Sequence, residues 1–163
     1  MAATLGNAAT NKVVTRFSAA NGLSAGLAAL TAGTAAGLTL PQIKTQNIAA
    51  DLAERTSGAT YPAMQVYCEK ITNDLTEKFR SISGRVQMAI ELRHSQDRIE
   101  GLQDTLELYT DAATQVLTAN RGDWGDGMYY TGGYQVTFGA VKQGGRNFIQ
   151  VAKVTFEIGV SRN

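Results

Sequence analysis

The sequence predicts an α+β domain: a mostly antiparallel four-stranded sheet with helices packed on one face and a long C-terminal β-hairpin. Three patterns support this fold class. Residues 61–71 and 79–93 alternate apolar and polar side chains, as half-buried strands do. Residues 99–119 carry apolar side chains at helical spacing. Two further alternating runs flank Gly144 and Gly145, which indicates a hairpin turn.

The composition sets limits on the function. With 163 residues, the chain is long enough for one domain, or one domain with an arm. Fifteen basic and 14 acidic residues give a net charge of +1, so no overall basic footprint for nucleic acid is present. A single cysteine allows no intramolecular disulfide and no CxxC metal site.

The N-terminal segment differs from the rest in composition. Residues 1–37 are rich in Ala and Gly and are predicted to form a helix from about Asn11, or an added arm, while residues 38–163 form a single α+β domain. The uncharged stretch 22–40 is too weakly apolar for a spanning helix, so no membrane association is expected. No positive region precedes an apolar run at the N-terminus, so no export signal is expected.

The two N-terminal strands of the domain differ in length. The first places Met64, Val66 and Cys68 on one face. The second, residues 79–93, would span roughly 50 Å, so we expect its end to project from the domain and Gly84 to form a bulge or bend. Its buried face is predicted to comprise Ile82, Val86, Met88, Ile90 and Leu92.

The helix that follows is the clearest element. Ser95 is the predicted N-cap, and the apolar stripe is Ile99, Leu102, Leu106, Tyr109, Ala113, Val116 and Leu117. Residues 120–127 are predicted to form a loop in which Trp124 is an anchoring aromatic at a contact.

Charge is distributed unevenly along the chain. Residues 96–119 hold one arginine and five acidic residues, a net charge of −4, whereas the last 30 residues hold four basic residues and one acidic residue, a net charge of +3. Three interpretations remain open: two solvated faces, complementary surfaces on neighbouring subunits, or contact of the hairpin with nucleic acid. The candidate interface residues are Lys142, Gln143, Arg146, Phe148, Trp124, Asp104, Glu107 and Asp111.

No catalytic, cofactor-binding or metal-binding residue is predicted, and no enzymatic activity is expected. His94 is interpreted as a capping or surface residue, and Cys68 as a small buried apolar residue. A Cys68–His94 pair stays open at this level. Residues 122–127 lack the further oxygen ligands and the closing Glu of a calcium loop.

The order of the elements resembles a known family. "YPAMQVYCEKI", the long strand ending "GRVQMAIELR", the helix "IEGLQDTLELYTDAATQVL" and the terminal strand "VTFEIGVSRN" follow one another as in the tail terminator (tail completion) proteins of long-tailed bacteriophages. The "YPA" opening and the terminal "AKVTFEIGV" carry most of this resemblance, and the connector "LTLPQIKTQNI" agrees in position. The resemblance covers residues 38–163.

The resemblance implies a structural virion protein of the tail-neck region, assembled in the host cytoplasm. It implies a homo-hexameric ring that ends tube polymerisation at the head-proximal end of the tail and provides the surface on which the head docks. The implied partners are the protein itself, the tail tube protein and a head-closure or connector protein. No specific nucleic-acid binding is implied, although the genome would pass through the ring lumen.

The long hairpin would then extend beyond its own subunit, and replacing Lys142 and Arg146 with Glu should weaken ring or tube association. Two alternatives remain: another neck component, such as a head-closure or head-tail connector protein, and more distantly a small nucleic-acid- or ligand-binding module.

Overall fold

The computed structural model describes residues 3–32, 38–48 and 60–163, and within them the chain has an α+β fold with three helices and a mixed eight-stranded sheet. The helices are α1 (Leu5–Ser18), α2 (Leu23–Leu30) and α3 (Leu102–Ala119). The strands are β1 (Gln42–Lys44), β2 (Ala63–Asn73), β3 (Ile82–Gln96), β4 (Gly122–Gly125), β5 (Met128–Tyr130), β6 (Tyr134–Phe138), β7 (Lys142–Gly144) and β8 (Asn147–Arg162).

The sheet is built around β3 and β8. All 15 residues of β3 pair antiparallel with β8, from Ile82 opposite Arg162 to Gln96 opposite Phe148. On its other side, β8 pairs in turn with β7, β6 and β5, and β4 continues the sheet beyond β5. β2 pairs antiparallel with β3, and β1 lies parallel to β2 at the far edge.

The α+β class is confirmed, but the predicted four-stranded, mostly antiparallel sheet was too simple. The additional strands β1, β4, β5 and β7 have three or four residues each, too few to show an alternating pattern. The long strand β3 does not project alone, because β8 pairs with it to its last residue. β8 is likewise a central strand of its own sheet, paired on both sides, and not a free hairpin arm.

One face of the sheet carries the core. Val86, Met88, Ile90 and Leu92 of β3 are buried as the alternation predicted. They join the even-numbered apolar residues of β8 and one stripe of α3 in a single cluster. Burial of this apolar surface is the main stabilising contribution to the fold.

The N-terminal segment belongs to this same core. Val13 and Phe17 of α1 and Leu23 and Leu27 of α2 are all buried in the common cluster. α1 begins at Leu5, six residues before the predicted start, and the described residues of this segment form two packed helices and not a separate arm. The sequence also predicts that the N-terminal helix ends at Gly33 or Gly37, and both glycines lie outside the described residues.

Two local predictions were wrong. Ser95 is not a helix N-cap, because pairing with Ile149 of β8 keeps it in β3, and α3 starts only after Gly101, whose φ is 74°. The β-bulge falls in β2 between Cys68 and Lys70, and not at Gly84.

Candidate interface surfaces

A groove lies between α3 and β6 at one edge of the helical layer. α3 packs over β3 and β8, while β6 lies one strand further out and is only partly covered. On one wall lie two acidic residues and two threonines of α3, Glu107, Thr110, Asp111 and Thr114, and on the other lie Tyr134, Val136 and Phe138 of β6. The groove encloses about 410 Å³, and we call it the acidic groove.

The charge of the acidic groove is not neutralised within the described chain. α3 contains Asp104, Glu107 and Asp111 and no basic residue. All three carboxylates are exposed, and none joins an ion pair with another described residue. Asp104 lies in the first turn, where the helix dipole favours it. The other two give the groove a negative potential beside an apolar wall.

The connection between β2 and β3, residues 74–81, presents apolar side chains to solvent, and we call it the apolar loop. Phe79 is 98% exposed and Leu75 is 61% exposed. Both have left-handed backbone conformations, with φ of 65° and 49°. Such conformations cost about 1–3 kcal/mol each in residues other than glycine, so they persist only where surrounding contacts impose them.

Hydrogen bonds at the base of the apolar loop hold its first half and its end, including the backbone of Leu75. The Asn73 Oδ1 atom accepts from the backbone N–H of Leu75 at 3.3 Å and from that of Ser83 at 3.0 Å. The Ser83 hydroxyl lies 2.5 Å from the Thr76 hydroxyl and accepts from the Glu77 N–H at 3.2 Å. The loop is therefore held in shape before any partner arrives.

Two basic residues flank Phe79. Arg80 lies 3.4 Å from the Glu77 carboxylate and donates to the Asn163 Oδ1 atom at 3.0 Å. Lys78 joins no ion pair with a described residue. The apolar loop thus combines an exposed aromatic ring with positive charge.

The tip of the β7–β8 hairpin brings together four of the predicted interface residues. Lys142, Gln143 and Arg146 are exposed and Phe148 is half-buried, around a turn at Gly145. The tip adjoins the start of α3, where the Gln150 side chain donates to the Gln103 Oε1 atom at 3.2 Å.

The remaining cations of the C-terminal run lie elsewhere. Lys153 pairs with Glu69 on the sheet face away from the helices, and Arg162 donates to the Asp126 carbonyl at 2.6 Å at the far end of β8. The predicted net positive charge of the last 30 residues is therefore divided among three places and forms no single patch.

Trp124 does not belong to the interface set, because it is only 5% exposed. Its ring packs against Tyr130 and Phe156, and the Arg16 guanidinium lies 4.2 Å from the ring centroid. The indole N–H donates to the Asn120 carbonyl at 2.6 Å. The predicted contact aromatic is thus an internal anchor that fixes the β4–β5 hairpin.

His94 and Cys68 do not form a pair. Cys68 lies opposite Met88, six residues from His94 on β3, which separates the two by roughly 20 Å along the strand. Burial raises the pKa of the Cys68 thiol, which disfavours the reactive thiolate. His94 is half-buried on the helix-facing side beside Tyr109, and not a capping or surface residue; burial lowers its pKa.

The opposite face of the sheet carries a polar network. The Glu91 carboxylate accepts from the Tyr67 hydroxyl at 3.0 Å and from Arg93 at 2.8 Å. Burial, followed by the charge of Glu91, raises the pKa of the Tyr67 hydroxyl. Gln87 donates to Glu69 at 3.0 Å, next to Lys153. Arg93 and Lys153 are each paired with a carboxylate on this face, whereas the three carboxylates of α3 join no ion pair with a described residue.

Phe79, Tyr134 and Phe138 are surface residues that sequence reasoning missed. Phe79 falls out of phase with the even-numbered apolar residues of β3, and this mismatch was the available signal. No pattern in the sequence predicts the exposure of Tyr134 and Phe138, because this exposure depends on how far α3 extends over β6.

Within the described ranges, no group of three or more His, Cys, Asp or Glu residues is placed to hold a metal ion. None of the described helices is both long enough and apolar enough to cross a bilayer. Comparison of the sequence with protein-family models and with curated proteins found no match.

Proposed function

We propose that this protein is a structural subunit that associates with copies of itself into a closed ring. The observation that carries the proposal is the apolar loop, in which Phe79 is 98% exposed and Asn73 holds the backbone N–H groups of Leu75 and Ser83, on either side of it. A fully exposed aromatic ring in a strained, preorganised loop contributes little to the fold and is typical of a contact residue.

The two surfaces of the proposed subunit differ in shape and chemistry. The apolar loop exposes Phe79 between two cations, whereas the acidic groove is concave, and its two carboxylates join no ion pair with a described residue. Unlike surfaces favour head-to-tail association, which gives a ring where the rotation closes. Two copies joined by like surfaces would stop at a dimer.

The resemblance in element order supports our proposal that the ring belongs to a phage virion. Residues 38–163 resemble tail terminator proteins in element order, so the proposed ring, of six subunits, sits at the head-proximal end of a tail. There it ends polymerisation of the tail tube and provides the surface for head docking. The proposed partners are the tail tube protein and a head-closure or connector protein.

The position of β8 changes how the hairpin takes part in this function. β8 pairs on both sides within its own sheet, so its length is used inside the subunit. The exposed tip, with Lys142, Gln143 and Arg146, remains available to a partner. We assign the tip to contact with the tail, and the apolar loop and the acidic groove to contact between subunits.

Native mass spectrometry with negative-stain imaging, at several protein concentrations, tests the proposal. We expect rings of six, or a monomer that forms rings when purified tail tubes are added. A monomer that also ignores tube ends would overturn the ring proposal. A ring that binds portal-bearing heads but not tube ends would replace the terminator with another neck component.

A further inference from the structure

We propose that the apolar loop of one copy docks in the acidic groove of a second copy, with the Phe79 ring against Tyr134, Val136 and Phe138. This inference rests on the proposed ring and names the two surfaces that form its repeated contact. The occupant of the groove is a second copy of this chain.

Shape and apolar chemistry support this pairing. The groove encloses about 410 Å³, and three apolar side chains line its β6 wall. Tyr134 and Phe138 are 41% and 38% exposed on this wall. Aromatic rings pack favourably edge to face or offset, so Phe79 would find two such partners there. Docking would remove three rings from water: those of Tyr134 and Phe138, and that of Phe79, which is the most exposed large apolar residue among the described residues.

Charge supports the same pairing. Lys78 and Arg80 flank Phe79, and the opposite wall of the groove carries Glu107 and Asp111. Lys78 and Asp111 join no ion pair with a described residue in their own subunit. Insertion of the loop would bring these opposite charges together around an apolar centre. Such an arrangement fixes the position of one subunit relative to the next.

The fold prevents the loop from filling the groove of its own subunit. The Ser81 N–H donates to the Arg162 carbonyl, which places the loop at the C-terminal end of β8. The groove lies beside the middle of β8, where Val136 pairs with Val154, and on the far side of β8 from β3. Each copy therefore offers one loop and one groove to different neighbours, which allows a chain of contacts to continue until it closes.

Site-specific cross-linking tests the contact directly. In a Cys68→Ala background, the double variant Lys78→Cys/Asp111→Cys is assembled and treated with a short bismaleimide. We expect a ladder of covalent oligomers up to the full ring, and no ladder from either single-cysteine variant. The matched control is Lys78→Cys/Leu40→Cys, because Leu40 is 51% exposed but precedes β1 at the opposite edge of the sheet from β6. Rings that assemble without a ladder would contradict the contact.

The second measurement is the concentration dependence of self-association for Phe79→Ser and for Leu40→Ser. We expect Phe79→Ser to raise the dissociation constant by about 30-fold or more, as loss of a central aromatic residue does, and Leu40→Ser to leave it unchanged. Unaltered rings from Phe79→Ser would overturn this docking and leave the ring proposal intact. A wild-type chain that neither self-associates nor binds tube ends would overturn both.

Discussion

His94 is half-buried between β3 and α3, where its ring centroid lies 5.8 Å from that of Tyr109. Its neighbour across the strand pair is Gln150, and the Gln96 side chain lies on the same strand. Both are neutral, and the hydrogen bond with Gln96 raises the pKa by less than burial lowers it. Burial therefore determines the direction of the shift and lowers the pKa from 6.5.

This lowered pKa predicts a specific pH dependence. The unfolded chain binds the His94 proton more readily than the folded protein, so stability is lost as the pH falls through 6.5 toward the folded pKa. We expect the wild type to lose stability as the pH falls below 6.5, the ordinary pKa of histidine, and His94→Gln to lack this component. Chemical denaturation at several pH values measures both. Equal pH dependence in the two proteins would show that the burial of His94 does not affect its protonation.

Gly84 fixes the approach of β2 to β3. A Cβ atom at this position would lie 2.0 Å from the Thr72 carbonyl oxygen, so β2 would have to move. We expect Gly84→Ala to reduce the free energy of unfolding by about 2 kcal/mol or more, because backbone atoms cannot yield locally. Urea denaturation measures it. Gly133→Ala is the control, since a Cβ there meets nothing within 4 Å. Similar losses from both substitutions would contradict a steric origin.

The first helix provides a second prediction at the level of an element. Phe17 of α1 is 1% exposed and belongs to the same cluster as the sheet residues. Because α1 packs into this cluster, Phe17→Ala should destabilise the whole fold by about 3–5 kcal/mol through lost burial and a residual cavity. Leu40→Ala, at a residue 51% exposed, should change stability by about 0.5 kcal/mol at most. A single unfolding transition that Phe17→Ala leaves unshifted would restore the separate-arm interpretation of this segment.

At the level of the whole molecule, the sequence predicted the elements with long periodic patterns of apolar residues better than it predicted the short elements. The alternation around Val86 and Met88 and the stripe from Leu102 to Leu117 located β3 and α3 well, because long periodic segments record which face is buried. Strands of three or four residues are too short to show such a pattern. They form because a longer or neighbouring strand offers a free edge: β2 to β1, β8 to β5 and β7, and β5 to β4.

The candidate interface surfaces were predicted less well than the long elements, because they depend on contacts between residues that are distant in sequence. The exposure of Asp104, Glu107 and Asp111 was predictable because helical spacing alone places them on exposed positions of α3. Trp124 was misplaced because its burial depends on Arg16 and Tyr130, which are distant in sequence. Exposure of a large apolar residue is decided by tertiary packing, which no local pattern encodes.

The hairpin tip provides the last prediction, which separates contact with the tail from contact between subunits. Lys142 and Arg146 are exposed at the tip, whereas the proposed subunit contact uses Phe79 and the acidic groove. We therefore expect Lys142→Glu/Arg146→Glu to weaken binding to tube ends, with ring formation and the fold retained. Co-sedimentation with purified tubes at increasing salt measures this, since exposed charge contacts weaken as salt screens them.

Lys70→Glu/Arg121→Glu, an equal change of net charge at exposed positions outside the tip, serves as the control. If the tip variant binds tubes as the wild type does, the charges of Lys142 and Arg146 do not contribute to tail contact. If the variant loses both rings and tube binding, the tip lies between subunits.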